Sequence, residues 1–391
     1  MDTMKVAIFS RYPRQFGRPR GGVESVTVVL VRALAALGDL DVHVVTLERG
    51  QQAVQVERDG AATIHRLPGR RWPLVADIWA GPGRRRLVRY LRGLAPDVVH
   101  AHETYGLALG NLELPVVFTV HGFDWANVLA AEAPHARLRS VLWRMAERRG
   151  LARQRYIVSI SPYVRGMVEP LTPATIFDIE NPVEEEFFGT QRSEQPGRVL
   201  CVGWINERKN TLGSVQAFAR AVAAGASGTL TIAGESRQPE YMERVRRCVI
   251  EHGMESRVEF LGHIDRARLR QELSRAAVLL LPSRQENAPM AIAEAMAVGV
   301  PVIVSNRCGM PYMVSEGITG YLVEPDDHAQ IAERLCRLLG DAELRARLSA
   351  AARRQALARF RPELVARRTR DMYRQVVVAQ ACSLCAHGPR P

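Results

Sequence analysis

Two carboxylates, Glu286 and Glu294, stand with seven residues between them in the stretch PSRQENAPMAIAEAMAVGVPVIV, in contrasting surroundings. Glu294 is the one charged residue among Ala, Met, Ile and Val, so it is expected on a helix buried all round. A buried carboxylate without a partner is expensive. Glu286 lies in the polar loop after an apolar run, beside the point where the next helix presents free N–H groups. In open parallel sheets that edge holds the ligand, and helix N-termini favour phosphate. The alternative pairs Glu294 with a structural arginine and leaves Glu286 solvated. Arg208 and Lys209 follow another apolar run, where basic groups can neutralise an anion such as a diphosphate. His121 closes the run VVFTV with Gly122 beside it. An imidazole at the carboxyl end of a parallel strand stands where chemistry occurs, a packing role being the alternative.

The elements that must position these groups follow from apolar periodicity. Val278–Leu281 reads as a buried strand, Arg284–Ala288 as a loop, and Pro289 as a residue suited to a helix's first turn. The helix runs through Met290–Val298 and stops at Gly299, and Val302–Val304 is the next strand. Earlier in the chain, Val6–Ser10, Asp41–Leu47, Pro96–His100, Val116–Val120 and Ile157–Ser161 read as strands. Gly21 and Gly22 sit at a strand-to-helix junction, where glycine lets backbone approach a ligand. Glu184–Gly197, polar and aperiodic, reads as an interdomain linker. Arg198–Val202, Leu230–Gly234 and Val258–Gly262 then open a second set of strands, and a helix from about Pro362 to Ala379 ends the pattern.

Composition narrows the class. A chain of 391 residues with 47% hydrophobic content exceeds one core and predicts two domains. No apolar run approaches the ~20 residues of a membrane span, and the opening MDTMKVAIFSR reads as a strand, so a cytoplasmic protein is expected. Six cysteines without regular spacing argue against a disulfide framework. Cys382 and Cys385 form a C-x-x-C too poor in ligands for zinc. Asp39-Leu40-Asp41 spells a D-x-D at the amino edge of a strand, the wrong edge for a metal-bound ligand. The net charge of +12 suits nucleic acid, anionic lipid or a phosphorylated substrate. Residues 66–92 interleave Arg with Trp72, Trp79 and Tyr90, as an interfacial segment on anionic membrane would, or as a basic helix with its apolar face packed inward.

The Glu286-x7-Glu294 spacing, with AMAVGVPVIVSN and GITGYLVEPDD behind it, resembles the nucleotide-sugar site of retaining glycosyltransferases of family 4. The resemblance runs from Val6 to about Ala379. It takes in the glycine loop Gly21-Gly22, PDVVHAHE, the N-domain histidine His121, the N-P-V run Asn181–Val183, Lys209 and VEFLG. It implies an α/β protein of GT-B fold: two Rossmann-like, doubly wound parallel-sheet domains facing across a cleft. The expected bounds are 1–185 for acceptor binding and 186–361 for the nucleotide sugar, with 362–381 crossing back to the first domain.

By the same resemblance, Glu294 holds the ribose hydroxyls, and Glu286 contacts the sugar. Lys209, Arg208 and the backbone N–H groups at the helix start hold the diphosphate, and Asn287, Ala288, Pro289 and Met290 belong to the donor-binding loop. Gly21, Gly22, Gly234 and His263 line the donor, His121 stabilises the reaction centre, and Asp124 lies near the acceptor. His121, Lys209 and Glu286 are the catalytic set. The implied reaction moves a hexose from a UDP- or GDP-sugar to a glycan, lipid-linked or small-molecule hydroxyl with retained configuration. The departing phosphate helps deprotonate the acceptor, and neither metal nor cofactor is needed. Peripheral contact with an anionic membrane fits the charge, and no nucleic-acid motif accompanies it. Several positions depart from the pattern: Trp204 stands where many members have arginine, Pro289 removes a donor from the sugar loop, Pro182 replaces a glycine, and Tyr312 follows Pro311 where many members have glutamate. An epimerase or phosphorylase of the same fold and a non-catalytic homologue are the rival readings.

Overall fold

The computed structural model describes residues 3–16, 19, 21–69, 82–110, 112–130 and 135–386. The chain forms two compact units: Met1–Asp124, Val141–Pro182 and Pro362–Pro391 in the first, Trp125–Ser140 and Val183–Arg361 in the second.

The first unit is built on strands β1 (Met4–Phe9), β2 (Leu40–Arg49), β3 (Gln55–Asp59), β4 (Ala62–Gly69), β5 (Val98–His102), β6 (Val116–Val120), β7 (Tyr156–Ser159) and β8 (Thr175–Asp178). They pair in the order β3-β4-β2-β1-β5-β6-β7-β8, parallel throughout except for β3 against β4. The central strands are near-continuous apolar runs because both faces are covered. Val6, Ala7 and Ile8 are wholly buried, as are Val98 and Val99. Strand order reverses between β1 and β5, which opens a crevice at their carboxyl ends.

The final helix, Pro362–Ala386, completes this core with Val365, Ala366, Met372, Tyr373 and Val376. It is fastened by Tyr373 Oη to His100 Nδ1 (2.6 Å) and by Arg374 Nη2 to Asp39 Oδ2 (2.7 Å). Asp39 of the D-x-D is thus spent on holding a helix, and Asp41 bonds His43 Nε2 at 2.9 Å.

The second unit carries β9 (Arg198–Val202), β10 (Thr229–Ala233), β11 (Val258–Gly262), β12 (Val278–Leu281), β13 (Val302–Ser305) and β14 (Gly320–Val323). All pair parallel in the order β11-β10-β9-β12-β13-β14. This is the doubly wound dinucleotide-fold order, with its reversal between β9 and β12. The helix Met290–Val298 is buried at every residue from Ile292 onward and is closed by Gly299 in the left-handed region at φ 87°.

Two expectations change, and one open alternative is decided over its described part. The segment 184–197 is not a solvated linker: a short helix, Glu185–Phe188, sinks Phe187 and Phe188 into the second unit's core. Its charged flanks hid two aromatic anchors. Pro289 caps its helix in extended conformation (φ −68°, ψ 123°) rather than lying inside the first turn. In 66–92, Arg66 is buried and paired with Glu48 and Glu57, and the helix Pro82–Leu94 turns Leu87 and Leu91 inward. That described part is an ordinary packed element. Residues 70–81, with Trp72 and Trp79, lie outside the described residues, as do the Cys385 side chain and residues 387–391.

Candidate functional site

The carboxyl ends of β9 and β12 meet at the second unit's reversal point, and the charged residues converge there. After β9, Asn206 caps a single turn, Glu207–Lys209, by accepting from Lys209 N at 2.9 Å. Asn210 follows in the left-handed region at φ 55°, tied through Nδ2 to Pro325 O at 2.6 Å. This locked turn sends Arg208 and Lys209 toward the loop after β12. Arg208 Nη1 lies 2.7 Å and Lys209 Nζ 2.6 Å from the same oxygen, Glu286 Oε1.

Burial pushes the Glu286 carboxyl up, but Lys209 and Arg208 outweigh it and hold the group below the usual carboxylate range. Burial also draws the Lys209 ammonium below the usual lysine value, with Glu286 opposing. Two cations against one carboxylate leave a net positive charge. Burying such a cluster is a poor route to stability, because desolvation offsets most of the attraction. An anionic ligand is the simpler reason for it.

The loop after β12 supports that reading. Ser283 Oγ and Gln285 Oε1 are buried there without a hydrogen-bond partner among the described residues, a state native proteins rarely leave unfilled. Gly309 N donates to Glu286 O at 2.8 Å, and a Cβ on Gly309 would fall 1.7 Å from Asn287 O. The loop is therefore seated directly on Gly309 backbone. Ala288 is half-buried, and Asn287 accepts from Gln285 at 3.3 Å. The first intrahelical bond runs from Ile292 N to Pro289 O, so the N–H groups of Met290 and Ala291 precede it.

Glu294, one turn into the helix and 2% exposed, bonds Arg266 Nη1 at 2.7 Å. Arg266 also reaches Glu184 Oε1 at 3.0 Å and lies 4.6 Å from the Phe187 ring centre. An arginine partner for Glu294 is thus present. His263 stands exposed in the loop after β11 with no side-chain hydrogen bond among the described residues. Gly234 is accounted for within the fold: a Cβ there would lie 1.8 Å from Gly203 O.

Histidines line the first unit's sheet beneath its own reversal point. His100 bonds Tyr373 and Thr119, each at 2.6 Å, and His102 Nδ1 lies 2.8 Å from His121 Nε2. Burial takes His100 down to about 3 and His121 down to about 4, and holds His102 well below its ordinary value. All three are neutral near pH 7. His102 Nε2 is buried without a partner among the described residues. The tautomer that avoids an orphaned N–H there has His102 Nδ1–H donating to His121, which puts the His121 proton on Nδ1. Asp124 accepts from Thr104 at 2.7 Å, and its own N–H donates to Glu147 at 2.6 Å. Gly22 opens a helix capped by Gly21, and a Cβ on Gly21 would meet nothing within 4 Å.

Residues 182–355 match the family described as Glycosyl transferases group 1, and residues 20–187 match Glycosyltransferase Family 4. The chain belongs to the family 4, group 1 glycosyltransferases. It is a nucleotide-sugar-dependent glycosyltransferase, similar over 300 residues to glycogen synthase of Mycobacterium tuberculosis at 28% identity, covering 72% of this chain and 69% of the relative. Alpha-maltose-1-phosphate synthase of the same organism is 27% identical over 313 residues, 72% and 80% of the two chains. The fold is GT-B. Sucrose-phosphate synthase from Thermosynechococcus elongatus superposes with TM-score 0.79 at 23% identity over 96% of this chain and all of that one. Alr3699/HepE of Anabaena, in complex with UDP, gives 0.68 at 15% over 95% and 100%.

Sequence reasoning missed several groups in this glycosyltransferase. Arg266 and Glu184 approach Glu294 from distant segments and carry no local signal. Glu103 was visible only as the end of PDVVHAHE. It follows β5 at the first unit's reversal point with a left-handed backbone (φ 61°), and Arg11 Nε lies 3.0 Å from its Oε2. Burial raises its carboxyl to about 7 against Arg11, with Glu24 and Asp124 adding to the rise. A left-handed backbone and a displaced pKa together at a strand end make Glu103 a candidate position. Among the described residues no cluster of three or more His, Cys, Asp or Glu could hold a metal ion, and no helix is long and apolar enough to cross a membrane.

Proposed function

We propose that this glycosyltransferase moves a hexose from a nucleoside-diphosphate sugar to an acceptor hydroxyl with retained configuration. The observation that carries the proposal is the Arg208–Glu286–Lys209 cluster beside the Met290 helix start. Lys209, Arg208 and the free N–H groups hold the diphosphate, Glu286 contacts the sugar, and Glu294 takes the ribose hydroxyls. The bond from anomeric carbon to phosphate oxygen breaks as that oxygen gains charge, which the cations stabilise more strongly in the transition state than in the ground state. The acceptor oxygen bonds the anomeric carbon on the same face, and its proton passes to the departing phosphate. His121, fixed by His102, is proposed as a neutral donor to the sugar. His121→Ala is expected to cut transfer strongly while nucleotide affinity stays near wild type; a parallel loss of both would make it structural.

Titration calorimetry with UDP, GDP, ADP and dTDP tests the donor site. UDP is the first to try, being the nucleotide bound in the Anabaena protein. Selective binding of one nucleotide supports the proposal, whereas silence with all four would favour a non-catalytic homologue.

One feature favours a lipid-linked acceptor at an anionic surface. On the helix Ala136–Leu151, Leu138, Val141, Leu142 and Met145 form an exposed apolar stripe at i, i+3, i+4, i+7 spacing, flanked by exposed Arg137, Arg139, Arg144 and Arg148. Co-sedimentation with vesicles that contain anionic lipid, and not with neutral ones, is the expected result. Equal recovery from both would remove this reading.

A further inference from the structure

The loop after β9 opens with Gly203 and then Trp204, a neutral ring beside the site's cations. The ring is not bare. The Arg237 guanidinium carbon lies 4.3 Å from its centre, a cation–π distance. Arg237 belongs to the loop after β10, and that loop is locked to the Trp204 loop. Gly203 N donates to Ala233 O at 2.9 Å, Ile205 N to Glu235 O at 2.8 Å, and Ser236 Oγ to Ile205 O at 2.8 Å. Lys209 folds over the same glycine: a Cβ on Gly203 would lie 3.3 Å from Lys209 Nζ. Gly203 therefore carries the Lys209 ammonium directly, and the next residue carries the Arg237 guanidinium.

The charge of Arg237 is uncompensated. Arg208 and Lys209 share Glu286; Arg244 and Arg284 share Glu207, and Arg284 also reaches Asp326. Arg237 is exposed and, among the described residues, touches the Trp204 ring with no carboxylate in reach. A guanidinium held over an aromatic ring has part of its freedom already removed, so less is lost when its planar donor fork grips phosphate.

We propose that Arg237, carried on the Trp204 ring, is a diphosphate-binding residue of the donor site, doing from the β10 loop what an arginine directly after Gly203 would do from the β9 loop. This rests on the donor-site reading above. It turns the neutral Trp204 from a defect into a platform. The net positive charge left by Lys209, Arg208 and Glu286 gains a second from Arg237, which matches the about two negative charges of a diphosphate diester.

The test is calorimetry of UDP, GDP, ADP and dTDP and of their parent nucleosides against wild type, Arg237→Ala, Trp204→Ala, Trp204→Phe and Glu294→Gln. Arg237→Ala should weaken the best-bound diphosphate by roughly tenfold or more, leave its nucleoside within about twofold, and flatten the salt dependence of diphosphate binding. Trp204→Ala should approach the same loss, Trp204→Phe should recover most of it, and the Arg237→Ala/Trp204→Ala double variant should add little to either. A folded Arg237→Ala that binds diphosphate like wild type overturns the inference. If Glu294→Gln still loses affinity, the donor-site reading survives that result. If wild type binds no diphosphate, both fall. Arg237 is exposed, so its removal leaves the fold intact, and a thermal melt checks this.

Discussion

Replacing Glu294 by Gln separates a nucleotide ligand from a structural ion-pair partner, because the two roles move different quantities. Glu294 is 2% exposed and accepts a bond of 2.7 Å from Arg266 Nη1. Removing one partner of a buried pair costs about 3–5 kcal/mol when the other charge is stranded. Arg266 is not stranded: Glu184 remains at 3.0 Å and the Phe187 ring at 4.6 Å. The stability loss should therefore be smaller, about 1–3 kcal/mol, read as a lower denaturation midpoint at unchanged slope. Hydrogen bonds from ribose hydroxyls to a carboxylate are worth about 1.5–3 kcal/mol, so nucleotide affinity should fall about 10- to 150-fold. Calorimetry measures this on protein shown to be folded. Arg266→Gln is the companion: it should lower stability similarly yet shift nucleotide affinity far less. A folded Glu294→Gln that binds nucleotide like wild type would refute the ribose assignment and leave Glu294 as the partner of Arg266 alone.

Lys209→Ala should reduce kcat about 10²- to 10³-fold, the worth of one preorganised charge donor; steady-state rates at saturating donor would check it, and unchanged kcat would remove Lys209 from the leaving-group role. Acid should destabilise the first unit. His100 and His121 titrate at about 3 and 4 in the fold against about 6.5 in the unfolded chain, so the unfolded state takes up more protons as pH drops below about 6.5. Their contribution is fully present above that pH and is lost on the way down at up to about 1.4 kcal/mol per pH unit each. His100→Gln should flatten this slope in urea melts between pH 6.5 and 4.5, and an unaltered slope would contradict it. Gly234→Ala places a methyl 1.8 Å from Gly203 O, so the β9 and β10 loops must part; a loss of about 1–3 kcal/mol with weakened nucleotide binding is expected.

Much of the fold was legible because its signals are local. A parallel strand buried on both faces must be a continuous apolar run, which exposes β1, β6, β9, β10 and β12 to inspection. The helix Met290–Val298 announced itself by an apolar run that ends at a glycine, and Glu294 by being the one charge within it. β3, β4, β8 and β14 were not drawn as strands; β3 and β8 are mixed or exposed, and their pairing depends on neighbours distant in sequence. The candidate site divides in the same way. The sequence by itself determined which residue types follow the strand ends: His121 directly after one apolar run, and Glu286, Lys209 and Arg208 in the polar loops after two others. Only the tertiary structure decided which of them share an oxygen atom, that Arg266 reaches Glu294, that Gly234 serves backbone packing, that Phe187 and Phe188 are core, and that Arg237 lies on Trp204. Strand ends are fixed by local hydrophobic period, whereas partners across a sheet edge are chosen by strand order, a property of the whole chain that no local window contains.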